Sequence, residues 1–485
     1  MIPFAAMPLH PALHSALASL GLTAATPIQA ATLPVLLAGR DVVARAQTGS
    51  GKTLAYGLPL LHHLDLTRQR LQALVLVPTR ELAAQVTAEL RKAARDLGGV
   101  RILEVCGGTP GAAQRASIER GVHVIVGTPG RCLDMFARGV APAGDIDVLV
   151  LDEADRMLDM GFAPQVEALL EGLPAARQTA LFSATWPSGM DGLAARWMRD
   201  ASHVEVPTDA PEVDHHLHVV EDPDRVPALR GVLARLDAGA GAEAAPSRPP
   251  PGGVPATPPP PGPRDRAALV FVARKETARE VARALVEAGH AAGALHGDLE
   301  QPDRDAVLAR LRNGSLQVLV ATDLAARGLD VRGLDLVVNL DPPRTPEDLV
   351  HRAGRTGRAG ATGTVVTLAN VREAARVRTA ATEAGVVLSE SPAPAPPAAP
   401  PAPARMRTVR IDGGRKDKLR PGDLLGALTG RPDDGGAGCA PEDIGRIEIH
   451  DHVTYVAIVR EAAPAALRAL QDGRIKGRRF RVGRA

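Results

Sequence analysis

Three stretches of this 485-residue chain carry side chains whose types and spacing suit work on a phosphate. The first is Ala46-Gln47-Thr48-Gly49-Ser50-Gly51-Lys52-Thr53. Its glycines would let backbone N–H groups close on phosphate oxygens at a helix start. Lys52 would reach the β- and γ-phosphates, and Thr53 would hold magnesium. The second is Val148-Leu149-Val150-Leu151-Asp152-Glu153-Ala154-Asp155, an apolar run that ends in three acids within four positions. Adjacent carboxylates there suit a magnesium–nucleotide site, Asp152 holding the metal and Glu153 activating water. Acids after a strand also form helix N-caps, so this stretch alone decides nothing. The third, His351-Arg352-Ala353-Gly354-Arg355-Thr356-Gly357-Arg358, places three arginines within seven residues. Such a cluster often marks a solvated face, yet arginines from a partner half also stabilise transition-state charge on a γ-phosphate.

Chemistry of this kind needs strands that deliver loops to one edge of an open parallel sheet. Apolar runs of strand length at Asp41–Ala44, Ala73–Val77, Val122–Val126, Val148–Leu151 and Thr179–Phe182 alternate with helical patterns. That rhythm predicts βαβ units and a parallel sheet over residues 1–208. A second series, over 209–385, comprises His216–Val220, Ala268–Val272, Gln317–Val320, Leu336–Leu340 and Gly363–Leu368. Ser183-Ala184-Thr185 and Thr322–Asp330 each follow one of these strands, although a simple hydroxyl cap would also account for the former. A segment at 238–264 is dominated by Pro, Gly and Ala, a composition that cannot bury enough apolar area to order itself. A Pro/Ala linker, 386–404, precedes a last unit, 405–485. There Thr408–Ile411, Arg446–Ile449 and Thr454–Val459 read as strands and Ala463–Leu470 as a helix.

Aromatic residues are 2% of the chain, so cores must be built from Ala, Leu and Val. Three distant cysteines lack metal-ligand spacing and fit a reducing compartment. No apolar run is long enough to span a membrane and no targeting segment is recognisable, which predicts a cytoplasmic protein. Only 6 of the 57 basic residues are Lys, and three of those six lie in 405–485. That unit carries 17 Arg and Lys against 11 acids, a net of +6, whereas the whole chain is +2. Its densest stretch, Arg474–Arg481, predicts contact with RNA phosphates. The strand around Tyr455 sits where an RNA-recognition-motif fold carries its stacking aromatics, but it supplies one, so recognition is expected to rest on basic loops.

Taken together, the ordered motifs across 20–360 resemble those of the DEAD-box RNA helicases. Thr26-Pro27-Ile28-Gln29 is similar to the Q motif, in which Gln29 would read adenine and select ATP. Residues 46–53 match the family's own P-loop, AxTGxGKT, and Asp152–Asp155 is the DEAD tetrad. The resemblance implies that Pro78-Thr79-Arg80, Gly107-Gly108, Thr128-Pro129-Gly130-Arg131, Arg274, Gly297 and Thr322 contact the RNA backbone. It implies that Ser183, Thr185 and His351 couple hydrolysis to strand separation. Arg355 and Arg358 would be arginine fingers, with Gly328 and Asp330 at the nucleotide, Asp330 meeting its ribose. One departure is visible: Ala12 stands where the family usually carries an aromatic upstream of the Q motif, and Phe4 lies too far away to replace it.

The expected fold is therefore α/β: two tandem RecA-like parallel-sheet domains plus a small C-terminal α+β RNA-recognition-motif-like domain. Ile411–Gly414, Leu419–Gly430, Glu442–Ile449 and Ile475–Arg478 resemble the tail of a bacterial branch of the family, the DbpA type. That likeness implies targeting to 23S ribosomal RNA and assembly of the large (50S) ribosomal subunit, with Lys416, Lys418, Arg420, Arg474, Lys476, Arg478 and Arg479 as contacts. The expectation is an ATP- and Mg2+-dependent RNA helicase, a monomer acting on pre-50S particles. A DNA helicase, and an ATP-gated RNA clamp or scaffold with little unwinding, are the rival readings.

Overall fold

The computed structural model describes the whole chain except residues 1, 47–48, 108–110, 187–189, 207–212, 240–265, 327–333, 358–362 and 431–435. The Pro-rich segment expected at 238–264 lies almost entirely outside the described residues. The chain divides into two compact units, one spanning residues 1–210 and the other containing nearly all of 211–485.

The first unit holds a seven-stranded parallel sheet. Its strands are β1 (Val42–Arg45), β2 (Ala73–Leu76), β3 (Ile102–Val105), β4 (Val124–Gly127), β5 (Val148–Asp152), β6 (Gln178–Ser183) and β7 (Ser202–Glu205). They lie in the order β3-β4-β2-β5-β6-β1-β7. Helices cover both faces, so a central strand is apolar on both sides. Successive residues nevertheless serve different cores: Val75, Val126, Val150 and Phe182 pack on one face, and Leu74, Ile125, Leu149 and Leu181 on the other.

The second unit repeats this arrangement. It contains β8 (Val213–Val219), β9 (Ala267–Val272), β10 (Ala292–Leu295), β11 (Val318–Thr322), β12 (Leu334–Asn339), β13 (Gly363–Ala369) and β14 (Leu388–Glu390). All are parallel, in the order β10-β11-β9-β12-β13-β8-β14. Counted within each unit, the two orders are the same. Periodicity predicted two α/β series, and topology now makes them copies of one fold. In the two parallel sheets, all four strands that the apolar pattern does not reveal (β3, β7, β10 and β14) are sheet edges. Edge strands face solvent on one side, and these are short and only half-buried.

A third, antiparallel sheet contains β15 (Met406–Ile411), β16 (Ile444–Ile449), β17 (Thr454–Val459) and β18 (Val482–Arg484), in the order β16-β17-β15-β18. Helices Pro421–Thr429 and Ala463–Asp472 cover one face, burying Val409, Ile411, Val456 and Ile458. Its other face packs on the helix Gln301–Arg312 of the same unit. Thr408 Oγ1 accepts from Asn313 Nδ2 at 2.8 Å and meets Ser315 Oγ at 2.6 Å, and Arg312 pairs with Glu448 at 2.5 Å. Tyr455 is fully buried there and donates to the Pro302 carbonyl at 3.4 Å. The position read as a stacking aromatic is thus occupied by packing within the protein.

Replacing Thr408 by the isosteric Val would strand the Asn313 and Ser315 side chains in a buried setting. A loss of about 1–3 kcal/mol of stability is expected in urea unfolding of this unit.

Candidate active site

The loop after β1 is tied down from two sides. The Ala46 N–H donates to the Ser183 carbonyl at 2.9 Å, joining the loop to the end of β6. Gln29 accepts from the Thr26 N–H through Oε1 at 2.9 Å and donates from Nε2 to the Gly51 carbonyl at 3.0 Å. Gly49 and Gly51 take left-handed conformations, with φ of 89° and 92°. A Cβ at Gly51 would lie 2.5 Å from Gln29 Nε2, so the side chain and the loop approach only because position 51 is Gly. Gln47 and Thr48 lie outside the described residues.

Lys52 begins the helix Lys52–His63, and its Nζ is buried with no hydrogen-bond partner among the described residues. A buried ammonium without a partner is costly, and an anion held in the loop would remove that cost. The residues fit a nucleotide phosphate.

Asp152 closes β5 and is 3% exposed. Its Oδ1 accepts from the Glu153 N–H at 2.9 Å and its Oδ2 from the Tyr56 hydroxyl at 2.8 Å. Burial pushes its carboxyl up to about 6, while the nearby Lys52 charge pulls it down. Glu153 is in the left-handed region at φ 53°, rare for a residue with a Cβ and worth about 1–3 kcal/mol of strain. Its Oε2 lies 3.3 Å from Arg156 Nε, both side chains being buried.

Asp155 does the joining. Its Oδ2 accepts from Thr185 Oγ1 and the Thr185 N–H, both at 2.8 Å, and from the Ala184 N–H at 3.2 Å. Ser183 Oγ in turn accepts from the Asp155 N–H at 3.3 Å and donates to the Thr185 carbonyl at 2.6 Å. Ser183-Ala184-Thr185 is therefore meshed with the acids rather than serving as a simple cap. Thr53 and Asp152 offer hard oxygen donors, and no cluster of three or more metal-ligating side chains exists among the described residues. That donor set suits magnesium, which takes few protein ligands and leaves positions for water and substrate phosphates.

Comparison with known proteins agrees with this geometry. The family model described as DEAD/DEAH box helicase matches residues 26–193, and the Helicase conserved C-terminal domain matches 263–360. The DbpA RNA binding domain matches 408–484. The ATP-dependent RNA helicase DbpA of Escherichia coli K12 is 43% identical over 476 residues, 98% of this chain and 97% of its own. The chain belongs to the DEAD-box ATP-dependent RNA helicase family. DeaD of Mycobacterium tuberculosis is 40% identical over 73% of this chain and 58% of its own length. Among solved structures, Saccharomyces cerevisiae Dbp5 bound to RNA and ADP BeF3 superposes with a TM-score of 0.70. It is 26% identical and covers 81% of this chain and 96% of its own.

The other residues predicted for this helicase fold fall into separate groups. Pro78, Thr79 and Arg80 follow β2, with Thr79 capping the helix Arg80–Ala93. Gly107 follows β3, where a Cβ would lie 3.0 Å from the Arg80 guanidinium. Thr128, Pro129, Gly130 and Arg131 open the helix after β4. All three strands lie on one side of β5, whereas the P-loop and Ser183–Thr185 follow β1 and β6 on the other. An open depression of about 610 Å³ beside Gly107 is lined by Arg115, Arg131 and Arg138. Phe4 is buried in the apolar core and Ala12 is half-buried against it.

In the second unit Arg274 caps the helix Lys275–Glu287, Gly297 follows β10 and Thr322 ends β11. Arg355 is 6% exposed and His351 sits in the last turn of the helix Pro346–Ala353. Gly108, Gly328, Asp330 and Arg358 lie outside the described residues. The second-unit arginine cluster is not uniform. Arg352 is buried, holds Asp323 through Nε and Nη2 at 2.7 Å each, donates to Asn339 and the Asp341 carbonyl, and lies over the Phe271 ring. The sequence did not reveal this structural role or Tyr56, and it singled out Asp155 only as one of the acids, without its link to Ser183–Thr185. The available signal for Tyr56 was a scarce aromatic one helical turn beyond Lys52.

In the C-terminal domain the seven predicted basic contacts are all exposed and lie on two loops, 413–420 and 473–481. Lys476 Nζ donates to the Lys418 carbonyl at 3.2 Å, which brings the loops together.

Gly51→Ala should weaken nucleotide binding by roughly tenfold or more, since the new Cβ meets Gln29 and the left-handed backbone is strained. A fluorescent-nucleotide titration measures it; unchanged affinity would remove the assigned link between Gln29 and the loop.

Proposed function

We propose that this helicase is an RNA-dependent ATPase that locally separates short RNA duplexes, directed by its C-terminal domain to 23S ribosomal RNA during assembly of the large subunit. The observation that carries the catalytic part is the hydrogen-bond mesh from Asp155 to Ser183, Ala184 and Thr185, beside a buried Lys52 and Asp152. In this reading residues 1–208 and 209–385 are the two helicase domains, the second extended by β14 (Leu388–Glu390), which corrects the linker expected at 386–404, and the rest of that stretch leads to the RNA-binding domain 405–485. Gln29 and Thr26 select adenine, and the loop from Ala46 to Thr53 binds the phosphates, with Lys52 on the terminal ones.

Magnesium, when bound with ATP, would neutralise charge on the phosphates, and Thr53 and Asp152 would hold it. Glu153 takes a proton from the attacking water. Its pairing with Arg156 orients the carboxylate for that task. Arg355 and Arg358 are assigned to the γ-phosphate, with Gly328 and Asp330 at the ribose side. ATP and RNA both engage the two helicase domains, so hydrolysis is coupled to RNA. Contacts through Pro78–Arg80, Gly108, Thr128–Arg131, Arg274, Gly297 and Thr322 are to phosphate and sugar, which makes the core indifferent to base sequence.

Choice of RNA is assigned to the basic loops. Lys416, Lys418, Arg420, Arg474, Lys476, Arg478 and Arg479 form an exposed positive surface on a domain whose open sheet face is covered. That supports recognition of a structured RNA by its phosphates rather than by base stacking. The natural setting in this reading is the cytoplasm, where a monomer acts on pre-50S particles. No helix among the described residues is long and apolar enough to cross a membrane.

Glu153→Gln should retain ATP and RNA binding while lowering turnover by roughly 100- to 10,000-fold; near-normal ATPase activity would show that Glu153 is not the base. In the full chain, Arg478→Glu with Arg479→Glu should reduce ATPase stimulation by 23S ribosomal RNA fragments while leaving stimulation by unstructured RNA intact. Equal stimulation by both RNAs, in both proteins, would remove the targeting assignment.

A further inference from the structure

The chain has two tyrosines, and one of them, Tyr56, is buried inside the nucleotide-binding unit. Its ring packs edge-on against Phe182, centroids 5.3 Å apart at 60°, and a Phe would fill that space as well. The hydroxyl is what needs explaining. A buried phenol requires a partner, and here the partner is the Asp152 carboxylate, 2.8 Å away. Thr53 lies three residues earlier on the same helix. Thus the phenol bonds directly to one of the two side chains assigned to magnesium and shares a helix with the other.

The geometry decides what this does to Asp152. A carboxylate offers about four lone-pair positions on its two oxygens. The Glu153 N–H uses one on Oδ1 and the Tyr56 hydroxyl one on Oδ2, so the carboxylate plane is fixed from both ends and two positions remain for a cation. Without the hydroxyl, Oδ2 has no other side-chain hydrogen-bond donor among the described residues, and rotation about the last torsion is freed.

We propose that Tyr56 is a positioning residue for the metal–nucleotide site, its hydroxyl setting the orientation of Asp152 toward magnesium. This rests on the reading that Thr53 and Asp152 hold that ion. The role is distinct from core packing, because packing needs only the ring.

The test is Tyr56→Phe in the full chain, followed by binding of a fluorescent ADP as a function of Mg2+ concentration and, separately, in EDTA. Thermal unfolding in EDTA checks the fold. The expected result is a Mg2+ requirement raised roughly tenfold, the scale of one hydrogen bond to a charged group, with EDTA affinity close to wild type and a cooperative melting transition lowered only by the loss of that one bond. A wild-type Mg2+ curve in the variant would overturn the proposal. Equal weakening with and without Mg2+, or a variant unfolded in EDTA, would also overturn it, by assigning the hydroxyl to structure alone. A wild-type protein whose nucleotide binding ignores Mg2+ would instead defeat the underlying metal assignment, and the proposal with it.

Discussion

Keeping a carboxylate charged at the end of a fully apolar strand is the constraint on which the first unit depends. Asp152 is almost wholly buried, and burial alone favours its neutral form. The fold offsets this with the Glu153 N–H, the Tyr56 hydroxyl and the nearby Lys52 charge. Each comes from a different place in the chain: the following residue, one turn along the helix after the P-loop, and that helix's first residue. The phosphate site and the acid site are therefore stabilised together, and neither is complete as a local motif.

The second constraint is connectivity among loops at one sheet edge. Parallel order places β1, β5 and β6 side by side, so their following loops converge. Asp155 then fixes Ser183–Thr185 through three accepted hydrogen bonds, and Ser183 returns through its carbonyl to Ala46. The phosphate loop thus has a short, hydrogen-bonded connection to the segment that the family resemblance links to strand separation. Backbone strain at Glu153 lies two residues before Asp155, where left-handed geometry turns the chain from strand into helix.

The C-terminal domain shows how context reassigns a familiar surface. Its antiparallel sheet has one face on its own helices and the other on the helix Gln301–Arg312. Thr408, Glu448 and Tyr455 are spent on that contact. Positive charge is left to the loops at one end, where Lys418 and Lys476 adopt left-handed conformations and meet. The stretch around 388–404 is used in a similar way: β14 joins the second sheet, and the Ser391 carbonyl lies 2.7 Å from His218 Nδ1.

Sequence by itself determined the parts of this protein that are locally encoded. Gly49, Gly51 and Lys52 read locally as a phosphate loop because the glycines allow a left-handed backbone and the lysine supplies a charge. Interior strands were legible because burial on both faces demands unbroken apolar runs; the edges, β3, β7, β10 and β14, were not, because a half-exposed strand needs no such run. The family likeness followed from ordered motifs and not from periodicity. What tertiary structure alone decided is which of several similar residues does which task. Arg352 became a buried anchor for Asp323 and Asn339, Tyr56 came to hold Asp152, and Tyr455 was buried against Pro302. The physical reason is that a side chain's partner is fixed by segments far away in the chain, and no local pattern carries that information.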